Sequence, residues 1–216
     1  ISEQQTKGKG RLGRVWKSKS GDGIWMSLII KPKIEPYKAP FLTLVAGASV
    51  VKALSNLGVE ASIKWPNDII VHNKKICGIL TELSAEMERV NYVVIGIGIN
   101  IKTIDFPDEI KEKATSLYKE GYKLSRVDIV RQFCIEFEKL YKGYILDGNK
   151  QDTLELCRKY SAIIGKQVYV IKNNKRELVK CIDINENGNL IVKEKNGEIQ
   201  EIMSGEVSIR GVKGYV

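Results

Sequence analysis

The apolar positions of this chain fall into alternating strand-like and helix-like stretches. Residues 24–30, IWMSLII, form a near-continuous apolar run closed by Lys31-Pro32, which predicts a buried strand. Phe41, Leu44, Val45, Ala48 and Val51 then recur at helical spacing, predicting a helix over 41–57 with one apolar face, ended by Gly58. Short strands follow at 62–65 and 68–72 around Pro66. A turn at Asn73-Lys74 predicts a hairpin into a strand over 75–84, and a second turn near 86–89 leads into a strand over 91–101. Meander spacing of this kind predicts a mixed or antiparallel sheet with helices on one side, an α+β domain.

Ser125 and Asp128 have capping-box spacing at the head of a second helix. Val130, Phe133, Cys134, Phe137, Leu140, Tyr141 and Tyr144 form its apolar stripe, and 151–161 reads as a further helix. After Ile164 the pattern changes. Short strands at 166–172, 177–184, 190–194, 199–203 and 207–209 are joined by Asn173-Asn174, Asn187-Gly188 and Asn196-Gly197, all hairpin chemistry. They predict a small terminal β-barrel over 165–216, after a domain over 1–164.

Composition narrows the function classes. The 216 residues carry 35 basic and 26 acidic side chains, a net charge of +9 that favours anionic partners. The 4 cysteines are far apart, none in C-x-x-C, and His72 is the lone histidine, so neither a zinc site nor a disulfide framework is expected. No apolar run approaches the ~20 residues of a bilayer span and no signal peptide is visible, so a cytoplasmic protein with reduced thiols and no membrane contact is expected.

Candidate chemistry lies in a few segments. QQTKGKGRLGRVW, residues 4–16, places glycines at 8, 10 and 13 and cations at 7, 9, 11 and 14 before Trp16. It reads as a mobile anion-binding loop with an aromatic lid, or as a flexible basic segment. In the strand over 91–101, Val93, Ile95, Ile97, Ile99 and Ile101 share one face, and Gly96, Gly98 and Asn100 the other. The bare glycine face suits a flat ligand or a close-packed side chain. Lys64–Asp68, KWPND, groups a cation, an aromatic wall, an amide and a carboxylate around proline, though Asn-Asp is also ordinary turn chemistry. Lys75 in KICGIL is either a snorkelling edge residue or an ammonium aimed at a reacting phosphate.

In this order, GKGRLGRVW, KWPND, KICGIL and GIGIN resemble the catalytic domain of biotin protein ligases, and FPDEIKEKATSL at 106–117 is similar to a loop and helix start of that family. GEVSIR at 205–210 resembles part of its SH3-like C-terminal domain. The resemblance implies a fold related to class II aminoacyl-tRNA synthetases and an AMP-forming ligase. Biotin is activated with MgATP to biotinyl-5′-AMP, then transferred to a lysine of a biotin carboxyl carrier domain.

Carried over residue by residue, it implies catalytic roles for Lys75, Arg11 and Asp68, with Asp68 as the Mg²⁺ ligand and an aid in deprotonating the acceptor lysine. Gln5, Gly8, Lys9, Arg11, Asn67, Lys75, Gly78 and Gly96 line the biotin side. Arg14 addresses phosphate, Trp16 stacks on adenine, Asn100 reads its edge, and Arg210 reaches ATP from the barrel. Lys9 stands where the family usually has arginine, which keeps the charge but loses the fork. The family's first strand and its Ser-Thr-Asn motif are expected upstream of Ile1. A homodimer through an exposed sheet edge is a further expectation. A lipoate ligase lacks its R-R-x-S-G-G-G-like segment here, and a basic nucleic-acid-binding module would leave KWPND and the glycine strand unexplained.

Overall fold

The computed structural model describes residues 1–172, 175–205, 207–212 and 214–216. The expected turn at Asn173-Asn174 and Glu206 of GEVSIR lie outside the described residues. The first sheet contains β1 (Gly23–Ile30), β2 (Ser62–Lys64), β3 (Asp68–Val71), β4 (Lys74–Ala85) and β5 (Val90–Asn100) in the order β1-β5-β4-β3-β2, antiparallel throughout. Alternation sets its faces. Val93, Ile95, Ile97 and Ile99 of β5 enter the core, while Gly96 and Gly98 stay on the opposite face.

Helix α1 (Phe41–Asn56) lies on the core face of this sheet, and α2 (Arg126–Leu146) and α3 (Gln151–Lys159) pack against it. The expected single apolar face was too narrow: Leu42, Ala46, Val50, Ala53 and Leu54 are buried as well, so α1 is wrapped on nearly all sides. The 21 residues Pro36–Asn56 are long and apolar enough to cross a bilayer by length and composition, but most of them are buried inside the fold. Gly58, at φ +80°, ends the helix with the hydrogen bonds Val59 N–H to Leu54 O and Gly58 N–H to Ser55 O.

Several local expectations shift. The β3–β4 hairpin turns on His72-Asn73, one residue earlier than expected, because a two-residue primed turn needs positive φ at both central positions, here +46° and +63°. Ser125 is the N-cap of α2 but its side chain caps nothing, so no capping box forms, and Asp128 is left as favourable negative charge in the first turn. The buried stripe of α2 is Ile129, Phe133, Phe137, Leu140 and Tyr144, while Cys134 is exposed. α3 stops before Ser161, which instead bridges Ile63 of β2.

The second sheet holds β6 (Gln167–Lys172), β7 (Lys175–Ile184), β8 (Leu190–Lys193), β9 (Ile199–Ile202) and β10 (Ser208–Gly211) in the order β10-β6-β7-β8-β9, also antiparallel. Its β7–β8 turn docks on the first domain. Trp65 Nε1 donates to Gly188 O at 3.0 Å, and Gly188, at φ +81°, faces Leu44 and Phe41 of α1 so closely that an added Cβ would lie 2.5 Å from Leu44 Cδ1. Gly188→Ala is therefore expected to destabilise the protein by about 1–3 kcal/mol, through both the left-handed backbone and overpacking against α1. Urea unfolding of the variant beside wild type measures it.

Candidate active site

Four of the singled-out segments line one cavity of about 780 Å³ between the first sheet and the second. The loop contributes Arg11, Arg14 and Trp16, the β2–β3 connection Lys64, Asn67 and Asp68, β4 Lys75, β5 Asn100, and the second domain Arg210 and Tyr215.

Asp68 sits at the centre of the polar cluster. Its Oδ1 lies 2.5 Å from Lys75 Nζ, and its Oδ2 accepts a hydrogen bond from the Tyr215 hydroxyl. Burial pushes the carboxyl up, but Lys75, the Tyr215 hydroxyl and Lys64 together outweigh it and hold Asp68 below its usual range. Lys75 gains its position from both sides of the chain. It pairs with Ile70 of β3, and its backbone bonds the 113–115 segment through Lys75 N–H to Lys113 O and Thr115 N–H to Lys75 O.

Arg11 joins the loop to the rest. Its Nη1 donates to Asn67 Oδ1 at 2.7 Å, and its Nη2 to the carbonyls of Ser204, Gly205 and Val207 in the second domain. Asn67, expected to orient a ligand, instead spends its amide on Ile79 O at 3.0 Å and its carbonyl on Arg11. Asn100 likewise donates to Thr115 O at 3.1 Å, fixing the segment beside Lys75.

Trp16 covers the glycine face. Gly78 pairs with Gly98 across β4 and β5, and a Cβ at either would meet the indole at 2.7–2.9 Å. Of the two readings of this face, a flat ligand or a close-packed side chain, the side chain fills it at these two positions, while at Gly96 a Cβ would meet only Leu80, at 3.6 Å or more. The indole packs edgewise on Trp25 with centroids 6.2 Å apart, and its Nε1 is buried without a hydrogen-bond partner.

The remaining expected residues are dispersed. Gln5 is exposed, with its backbone bonded to Ser18. Gly8 is buried, and its O accepts from Trp16 N–H. Lys9 is exposed 3.6 Å from Glu82 and does not line this cavity. Arg14 is exposed at the rim. Arg210 reaches the cavity with its guanidinium 5.8 Å from the Tyr215 ring centroid.

One participant, Tyr215, escaped the sequence reading. Lys64, expected as the cation of KWPND, lines the cavity but is 2% exposed. Its Nζ donates to Tyr215 O at 2.7 Å and lies 3.3 Å from the centre of that ring. Tyr215 carried no signal beyond being aromatic near the chain end.

A family model for the biotin/lipoate A/B protein ligases matches residues 1–100, and one for the biotin protein ligase C terminal domain matches residues 163–210. The bifunctional ligase/repressor BirA of Bacillus subtilis is 40% identical over 213 residues, across 97% of this chain and 65% of that protein. The human biotin–protein ligase is 30% identical over 211 residues, across 92% of this chain and 28% of its own length. The solved biotin protein ligase from Aquifex aeolicus, in complex with biotin and ATP, superposes with a TM-score of 0.83 at 31% identity, over 97% of this chain and 87% of that one. The chain belongs to the biotin protein ligase family. It spans about two thirds, 65%, of the length of the Bacillus relatives.

Burial pulls the Lys64 ammonium down to about 7, against the opposing charge of Asp68. Its unfolded value is near 10, so between about 7 and about 10 the unfolded chain binds the extra proton and stability rises with pH. The stability gained on changing Lys64→Met is expected to be largest at pH 6.5 or below and to shrink towards about pH 10. Urea unfolding of both proteins across that range measures it, and a pH-independent difference would contradict it.

Proposed function

We propose that this protein is an AMP-forming biotin–protein ligase. It would join the carboxylate of biotin to the α-phosphate of ATP, releasing pyrophosphate, and pass the biotinyl group to a lysine of a carboxyl carrier domain, releasing AMP. Convergence of the loop, KWPND, the Lys75 strand and the glycine strand on one cavity carries this reading. The relatives' names point the same way, among them the biotin–[acetyl-CoA-carboxylase] ligase of Mycobacterium tuberculosis, 34% identical over 126 residues.

The residues present suit such chemistry. A carboxylate nucleophile is ionised at neutral pH, so the first step needs no general base, and catalysis rests on alignment and on stabilising charge at phosphorus. Lys75, Arg11, Arg14 and Arg210 supply the cations. Arg11 already directs both Nη atoms to the Asn67 side chain and to second-sheet carbonyls, so its part is to hold the loop and the second sheet over the cavity. Asp68, held below its usual range, ion-paired with Lys75 on one oxygen and hydrogen-bonded by Tyr215 on the other, is a poor base for the acceptor lysine. We assign it instead to orienting Lys75. Because its oxygens already face the Lys75 ammonium and the Tyr215 hydroxyl, it is a poor independent magnesium ligand, and among the described residues no group of three or more His, Cys, Asp or Glu side chains can hold a metal. Magnesium would enter as MgATP, bound largely by the phosphates.

Biotin-dependent ATP–pyrophosphate exchange tests the reading on the full-length protein. Exchange is expected with biotin and not with lipoate, and the reverse would overturn it. Lys75→Ala is expected to lower exchange at least ~100-fold while leaving the circular dichroism unchanged.

The floor at Gly78 and Gly98 becomes available only when the indole of Trp16 leaves it. The chain has 3 tryptophans, and the other two, Trp25 and Trp65, are 2% and 1% exposed. Biotin with MgATP is therefore expected to change intrinsic fluorescence chiefly through Trp16. Titration of Trp16→Phe should show most of that change gone, and a full change in the variant would place the ligand elsewhere.

A further inference from the structure

The last residues of the second domain return to the first. Val216 lies against Gly211, where a Cβ would come within 2.3 Å of it, and Gly211 N–H bonds Tyr215 O at 3.3 Å. Tyr215 is carried by this fold-back into the cavity wall, 9% exposed. Lys64 fixes it there by donating to its carbonyl and seating an ammonium on its ring. What the phenol meets is the free side of Asp68, the carboxylate whose other oxygen holds Lys75.

We propose that Tyr215 is a positioning residue for adenylation, fixing the plane of the Asp68 carboxylate so that its second oxygen holds Lys75 towards the reacting phosphate. This rests on the ligase reading above. A carboxylate paired with one lysine turns freely about its terminal bond. Ion-paired at Oδ1 with a lysine from β4 and hydrogen-bonded at Oδ2 by a phenol from the second sheet, it is held in one orientation. A purely structural aromatic at this interface could have placed its hydroxyl on a backbone carbonyl. Here the bond goes to the carboxylate that, among the described residues, is ion-paired with Lys75. The second domain thus adds to the site a side chain that acts through Asp68 and touches neither substrate.

The test is a double-mutant cycle in biotin-dependent ATP–pyrophosphate exchange, on full-length wild type, Tyr215→Phe, Asp68→Asn and the double variant. All four are assayed at one temperature below the lowest melting midpoint. Tyr215→Phe is expected to lower kcat about tenfold or more, the scale of one hydrogen bond to a charged group, with the KM for ATP within about twofold. In the Asp68→Asn background the same change is expected to cost almost nothing, because the phenol would have lost what it acts through. Exchange by Tyr215→Phe within about twofold of wild type would overturn the proposal. So would an equal loss in both backgrounds, which marks a domain-docking role, and so would a raised KM with unchanged kcat, which marks direct nucleotide contact. Absence of exchange in the wild type would overturn the ligase reading itself, and this inference with it.

Discussion

One buried carboxylate sets the arrangement of this site. Asp68 begins β3, and everything charged nearby is placed relative to it: Lys75 on one oxygen, the Tyr215 hydroxyl on the other, with the Lys64 ammonium and the Arg11 guanidinium feeling its charge. Burying a carboxylate is costly, and removing one partner of a buried ion pair typically costs about 3–5 kcal/mol because the other charge is stranded. The cluster is consequently a commitment of the fold. The KWPND connection, the first turn of β4 and the chain's last residues must all arrive together, or the charge is left without compensation.

The site also gathers cations. Lys64 is repelled by Arg210, Lys75 and Arg14, against the attraction of Asp68. Part of that repulsion is relieved within the protein, by the face of Tyr215 under Lys64 and by the carbonyls that receive Arg11. The remainder is a positive potential in a cavity walled by protein, where field lines from several sources converge on a bound phosphate more strongly than they would in water.

Most of the fold was legible in the sequence because period is local. Ile24–Ile30, the α2 stripe and the alternation of β5 announce themselves within a dozen residues, and the barrel strands are punctuated by Asn-Gly turns. The errors were those of detail that local pattern cannot decide. The hairpin slipped by one residue because histidine is an uncommon left-handed residue, and Ser125 kept its position but not its hydrogen bond. The candidate site was legible as a set of segments but not as a set of contacts. Gly78 and Gly98 betrayed a close approach without saying that Trp16 would make it. Arg11 declared itself as a cation, yet three of its acceptors lie more than 190 residues away, at Ser204, Gly205 and Val207. Lys64 reads as a cation of KWPND, but nothing local announces that Tyr215, 151 residues later, receives it in the interior.

The carbonyls of Ser204, Gly205 and Val207 that receive Arg11 have a bearing on how such chains are shaped by descent. Backbone carbonyls are present whatever the side chains, so this half of the seam tolerates drift in the terminal sheet as long as the curve of the main chain is kept. The other half does not, since it needs a phenol at one position and a bare glycine at the β7–β8 bend. A terminal sheet transplanted from a distant cousin would therefore seat its strands readily and still leave the seam half closed. The two parts of the chain fit each other at the Tyr215 phenol and the Gly188 bend, and exchanging one part alone would leave those contacts unmatched.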